Sequence, residues 1–159
     1  MDDPFRRPSV GAALFYRDPV AALAWLERAF GFTRTMVITD TAGQMVHAEL
    51  KVGDGYVMIG AEWADHVASP VSTGGRNTQT VHVRLNEDID AHCARAQTAE
   101  ARIVRPLTDE FYGDRVYQAG DLEGHVWSFG QPKRIVTREE AERESGLKIT
   151  GWPAMSART

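Results

Sequence analysis

The chain has 159 residues, 43% of them hydrophobic and 25% charged, with a net charge of −4. That is the composition of one globular domain able to bury a real core. The acidic balance argues against a nucleic-acid partner, which usually meets a basic face, and no apolar run approaches the roughly 20 residues of a bilayer crossing.

The N-terminal MDDPFRRPSV has no apolar stretch of the kind a secretory signal needs, and the single cysteine, Cys93, leaves no intramolecular disulfide to form. The expectation is a cytoplasmic protein with no membrane partner. In chain order, VGAALFY reads as an apolar strand. Asp18 and Pro19 follow as an N-cap and a first helical residue, then AALAWLERAFGF as an amphipathic helix stopped by Gly31. Residues 33–40, 44–52 and 55–62 read as three short strands, punctuated by turns at 41–43 and 53–55.

The second half repeats this order. Residues 80–85 form a strand, Asp88 begins a helix over 89–99, and residues 101–106, 114–120 and 125–130 read as strands. Cys93 sits in that helix as a packing residue. Thus the chain is α+β, with two βαβββ modules at about 9–63 and 80–131. A polar, flexible linker over 64–79 joins them, and a C-terminal extension, 136–159, follows the domain of 1–135. Thr137 and Glu140, three apart, predict a capping box and a short helix in that extension.

Period-two patterning shows which strand faces are polar. In TVHVRL, Val81, Val83 and Leu85 oppose Thr80, His82 and Arg84; in MVHAELK, Val46, Ala48 and Leu50 oppose Met45, His47 and Glu49. A polar face with histidines and few of the usual lysines and threonines suits a wet concave pocket.

The duplicated unit, the opening ALFYRDPVAALAWLERAFGF and the closing GDLEGHVWSFG resemble the vicinal oxygen chelate superfamily of glyoxalases, bleomycin-resistance proteins and dioxygenases. Within it, MVHAELKVGDGYVMIG and YGDRVYQAGDLEGHVWSFG are most similar to the PhnB-like branch. The resemblance implies paired modules forming a U-shaped mixed sheet around a cavity, helices outside, in a homodimer. It also implies four strand positions that hold a divalent metal in the family's enzymes. Here they fall on Gly11, on Met58 or Ile59, on Thr80 (or Val81), and on Ser128. None of these is a strong ligand for such an ion. The expectation is a metal-free protein that binds, and in the manner of resistance proteins sequesters, an antibiotic-like or aromatic small molecule.

The expected ligand-binding residues are Phe15, His47, Glu49, Met58, His82, Arg84, Tyr112, Arg115 and Ser128, with Tyr112 in a loop over the cavity mouth. Trp63 lies near another rim, and Trp127 is expected under the helices. The alternative is an enzyme of the same superfamily. In it His47, Glu49 and His82 hold Zn, Fe or Ni for a lyase, isomerase or dioxygenase, or His47 beside Glu49 acts in acid–base catalysis. His66, His92 and His125 receive no chemical role.

Overall fold

A computed structural model describes residues 5–152, so residues 1–4 of the expected domain and 153–159 of the expected extension lie outside the described residues. Strand β1 (Ala12–Tyr16) leads into helix α1 (Pro19–Phe30), followed by β2 (Thr33–Thr39), β3 (Met45–Val52) and β4 (Gly55–Ala61). The second module repeats this with β5 (Val81–Arg84), α2 (Ile89–Thr98), β6 (Arg102–Asp109), β7 (Asp114–Gly120) and β8 (Val126–Pro132). Helix α3 (Arg138–Ser145) is the last element among the described residues.

Local chemistry fixes the helix ends. The Asp18 carboxylate accepts from the Ala21 N–H, Pro19 opens α1, and Gly31 takes the left-handed φ of 69° that ends it. Asp88 caps α2 in the same way, and Thr137 and Glu140 form the expected capping box on α3. Among the described residues no helix is long and apolar enough to cross a membrane.

The modules form two four-stranded mixed sheets of identical topology, ordered β1-β4-β3-β2 and β5-β8-β7-β6. In each, the first strand pairs parallel with the last, and the remaining pairs are antiparallel. Helices α1 and α2 pack on their own sheets and on each other. Between the modules Phe30 and Phe32 meet Trp127, and Phe30 also meets Phe129, in one aromatic core. Burying such a ring contributes about 1.5–3 kcal/mol. The Trp25 indole, buried in the same core, donates to the Ala99 carbonyl at 2.8 Å. Cys93 and Trp127 are buried, as expected.

Val46 departs from the expected apolar set: it is 57% exposed while Ala48 and Leu50 are buried. The pairing steps from Ile38↔His47 to Thr39↔Met45, so Val46 is the extra residue of a bulge and turns out of the ladder.

The joining segment 64–79, expected as a flexible linker, makes hydrogen bonds to both modules. It carries a 3-10 turn over Pro70–Thr73, with Ser69 buried. The Ser69 N–H donates to Glu62 at 2.6 Å, the Val71 N–H to the Glu123 carbonyl, and the Asn77 amide to the Gly124 carbonyl.

The turn it rests on, residues 120–124, also ties the modules together. Asp121 is buried and accepts from the Tyr16 hydroxyl at 2.6 Å and the Trp127 indole at 3.0 Å. Its other oxygen accepts from the N–H groups of Glu123 and His125. Asp121→Ala should leave two buried donors without an acceptor and cost about 2–4 kcal/mol in urea unfolding. Tyr16→Phe, which spares the Trp127 bond, should cost about 1–2 kcal/mol.

A second buried polar group lies between α1 and β7. The Tyr117 hydroxyl donates to His92 Nδ1 at 2.6 Å, and His92 Nε2 donates to the Phe30 carbonyl at 3.2 Å. Burial, helped by the nearby Arg95 charge, lowers the His92 pKa to about 4. An unfolded-state value near 6.5 means the neutral ring's stabilisation is complete above about pH 6.5 and is lost as pH falls toward 4. His92→Gln should flatten the slope of unfolding free energy against pH across that window.

Candidate functional site

Each sheet turns one face to the helices and the other away from them. On the outward faces the pairing itself sets up a correspondence between the modules. Ala13 pairs with Met58 and Phe15 with Gly60; in the second module His82 pairs with Ser128 and Arg84 with Gly130. Ala13, Phe15, Met58 and Gly60 are apolar, and their counterparts His82, Arg84 and Ser128 are polar. Only the glycine is kept, each lying under a ring of the neighbouring strand. A Cβ on Gly60 would touch Phe15 at 3.5 Å, and one on Gly130 would meet His82 at 3.1 Å. His82 Nδ1 and Ser128 Oγ are 3.2 Å apart.

Where the β1 and β5 edges approach, they bound an open cleft of about 630 Å³. One wall holds Gly11, Asp54 and Tyr56, the other Thr80, His82 and Arg84. The Arg84 side chain is 62% exposed and only loosely held, 3.6 Å from Asp114, which leaves its guanidinium open to the cleft. A second cavity of about 440 Å³ lies under the joining segment and is walled by Phe15, His66, Arg76 and His125. His125 is structural there: its Nε2 donates to the Phe15 carbonyl at 2.9 Å.

Burial resolves the two ambiguous metal positions. Ile59 is wholly in the core, so Met58 holds the outward-facing place; Thr80 shares the exposed face with His82, whereas Val81 packs on the core. Gly11 is filled by another residue. A Cβ built there would fall 2.4–2.9 Å from the Tyr56 ring, so Tyr56 occupies the room a ligand side chain would need. The four places thus offer a glycine, a thioether and two hydroxyls.

The alternative set does not assemble within one chain. His47 Nε2 donates to Glu49 at 3.4 Å on β3, but His82 stands on the other sheet, and among the described residues no three His, Cys, Asp or Glu side chains converge. Glu49 is already engaged. Its side chain is 10% exposed and takes a two-pronged contact from Arg7, Nε to Oε2 and Nη2 to Oε1, each at 3.0 Å. Arg7's hydrogen bond, with a smaller one from His47, holds the Glu49 carboxyl below the ordinary range against the opposing pull of burial.

Tyr112 and Arg115 do not reach the cleft of their own chain. Both belong to the β6–β7 hairpin, and β7 and β6 lie on the far side of their sheet from β5. Tyr112 packs edge-on against Phe111, and Arg115 is paired with Asp90 and Asp109 at 2.9 and 2.8 Å. Trp63 is exposed against His66. The residues that sequence reasoning missed are Arg7 and Tyr56. Tyr56 was within reach, two residues before Met58 on one strand face; no periodicity marks Arg7. Gly11→Ala should cost about 1 kcal/mol in the native background. That cost should vanish beside Tyr56→Ala, a coupling read by a double-mutant cycle of unfolding free energies.

Comparison with known proteins gives a consistent setting. The profile of the Glyoxalase/Bleomycin resistance protein/Dioxygenase superfamily matches residues 10–129. The uncharacterised protein Rv0887c of Mycobacterium tuberculosis is 30% identical over 139 residues, spanning 85% of this chain and 81% of its own. TioX from Micromonospora sp. ML1 superposes with a TM-score of 0.65 at 36% identity, over 79% of this chain and 98% of its own. TnmS3, an antibiotic binding protein from Streptomyces sp. CB03234, superposes with a TM-score of 0.60 at 16% identity, over 80% of this chain and 100% of its own. At that identity the likeness is one of fold.

Proposed function

Because the chain belongs to the glyoxalase/bleomycin resistance protein/dioxygenase superfamily, we propose that it binds a small flat molecule without turning it over and without a metal. The observation that carries this reading is the content of the family's four ligand places. Gly11, Met58, Thr80 and Ser128 lack the imidazoles and carboxylates that hold a divalent ion. The cleft supplies binding chemistry instead: the Tyr56 ring and Ala13 on one wall, and Thr80, His82 and Arg84 on the other. A planar aromatic ligand bearing an anionic or acceptor group fits that division, the ring against Tyr56 and the charge toward Arg84. The antibiotic-binding role of TnmS3 supports a ligand of this general kind.

We further place the protein in the cytoplasm, in the PhnB-like branch, and as a homodimer. In the dimer the apolar quartet of one protomer faces the polar quartet of its partner, so that Phe15, Met58 and Ser128 join the cavity wall.

Native mass spectrometry of protein purified without chelator tests the reading. A metal-free dimer, with or without an organic adduct, is the expected result. One Zn, Fe or Ni per chain would overturn it in favour of an enzyme using His47, Glu49 and His82. In solution, 8-anilinonaphthalene-1-sulfonate, a flat aromatic anion, should bind saturably. Arg84→Ala and His82→Ala should each weaken it by roughly 5–10-fold, the loss of about 1–1.4 kcal/mol from one solvent-exposed hydrogen bond.

A further inference from the structure

The segment before β1 is an arm that lies across the outward face of the first sheet. Its residues 5–11 are outside the strand pairing, which begins at Ala12. Yet Arg7 reaches Glu49, one of the few buried charged groups among the described residues. The guanidinium lies 4.2 Å from the centre of the Phe5 ring and 5.9 Å from that of Tyr56. Around it is a cavity of about 370 Å³ walled by Thr35, Met36, Lys51 and Asp54. That cavity shares Asp54 and Tyr56 with the cleft between the sheets, so the two spaces adjoin.

With Arg7 in place the Glu49 carboxylate is 10% exposed and is flanked by His47 at 3.4 Å, so its charge is met by a cation on one side and an imidazole on the other. A side-on, two-pronged contact selects a planar cation with two parallel N–H bonds over a point charge. The ring of Tyr56 adds attraction for a flat cation and no selectivity against size. Arg7 belongs to residues outside the strand pairing, so its departure would break no ladder.

We propose that Glu49, with His47 and Tyr56, forms a subsite for an organic cation of the guanidinium or amidinium class, and that Arg7 is its resident competitor. The proposal rests on the binding reading above and extends it. The ligand's flat anionic or acceptor end lies in the cleft, and a cationic group, where the ligand carries one, displaces the arm from the adjoining cavity. An arm docked about nine-tenths of the time lowers the apparent affinity for such a group roughly tenfold.

The test uses benzamidine as probe and the uncharged benzamide as its control, titrated calorimetrically into the full chain. Arg7→Ala should bind benzamidine roughly tenfold more tightly than the native protein, with benzamide unchanged. Arg7→Lys, which keeps the charge and loses the fork, should fall between them. Adding Glu49→Gln to Arg7→Ala should abolish the gain. Equal benzamidine affinity in native and Arg7→Ala protein, or a gain that survives Glu49→Gln, would overturn the proposal and make the pair a clamp of the fold alone. Binding of 8-anilinonaphthalene-1-sulfonate, followed on the same samples, separates the two readings. Its loss condemns the cleft, whereas its persistence beside a failed benzamidine result condemns only the cation subsite.

Discussion

The buried Asp121 carboxylate is the contact on which the arrangement of the two modules depends. It gathers a hydroxyl from β1 of the first module, the indole of β8 from the second, and two backbone N–H groups of its own turn. With its donors in place the charge is satisfied, and the Tyr16 hydroxyl is pushed well above its ordinary pKa by burial and by the facing carboxylate. The counterpart turn in the first module is Gly53-Asp54-Gly55, shorter than the Gly120–Gly124 turn. Asp54 has no such seal to make and lines the cleft instead. The duplication therefore closes the module junction on one side and leaves it open on the other, and the open side is the cavity.

Duplication also explains why that cavity has two chemical characters. Each module presents the same four outward positions, fixed by the same strand register. Changing Ala13 to a histidine's counterpart, Phe15 to an arginine's and Met58 to a serine's costs the fold little, because none of these positions faces the helices. The glycines are different. Each is covered by a ring from the adjacent strand: a Cβ on Gly130 would press on His82 at 3.1 Å, whereas one on Gly60 would only reach contact with Phe15 at 3.5 Å. The glycine persists in both halves, whereas the three outward positions beside it diverge from apolar to polar.

The parts of this structure that depend on local chemistry were legible in the sequence. Asp18, Pro19 and Gly31 mark α1 without ambiguity, Thr137 and Glu140 mark α3, and alternation located every strand to within a few residues. What escaped depends on long-range geometry. Val46 has the right parity for the core, but a bulge sets it aside. Tyr112, expected in a loop over the cavity mouth, and Arg115, expected among the ligand-binding residues, lie on a hairpin that strand order puts at the other edge of the sheet from β5. Residues 64–79 have the composition of a flexible joint, and their anchoring comes from Glu62, Glu123 and Gly124, which no local pattern connects to them. Arg7 was invisible for the same reason, since its partner lies 42 residues away.

Glu123 carries a consequence for how the chain folds. Its carboxylate receives the N–H groups of Arg17 and Asp18, both at 2.8 Å, so a side chain of the second repeat completes the start of the first repeat's helix. Those bonds join residues 106 and 105 positions apart. The first repeat by itself would keep its Asp18 cap but lose the acceptor for the two N–H groups that lead into it, and would have a bare aromatic face where Phe30 and Phe32 meet Trp127. Each half leans on groups of the other, so the two should unfold as one cooperative unit, at the slower folding pace that distant contacts impose.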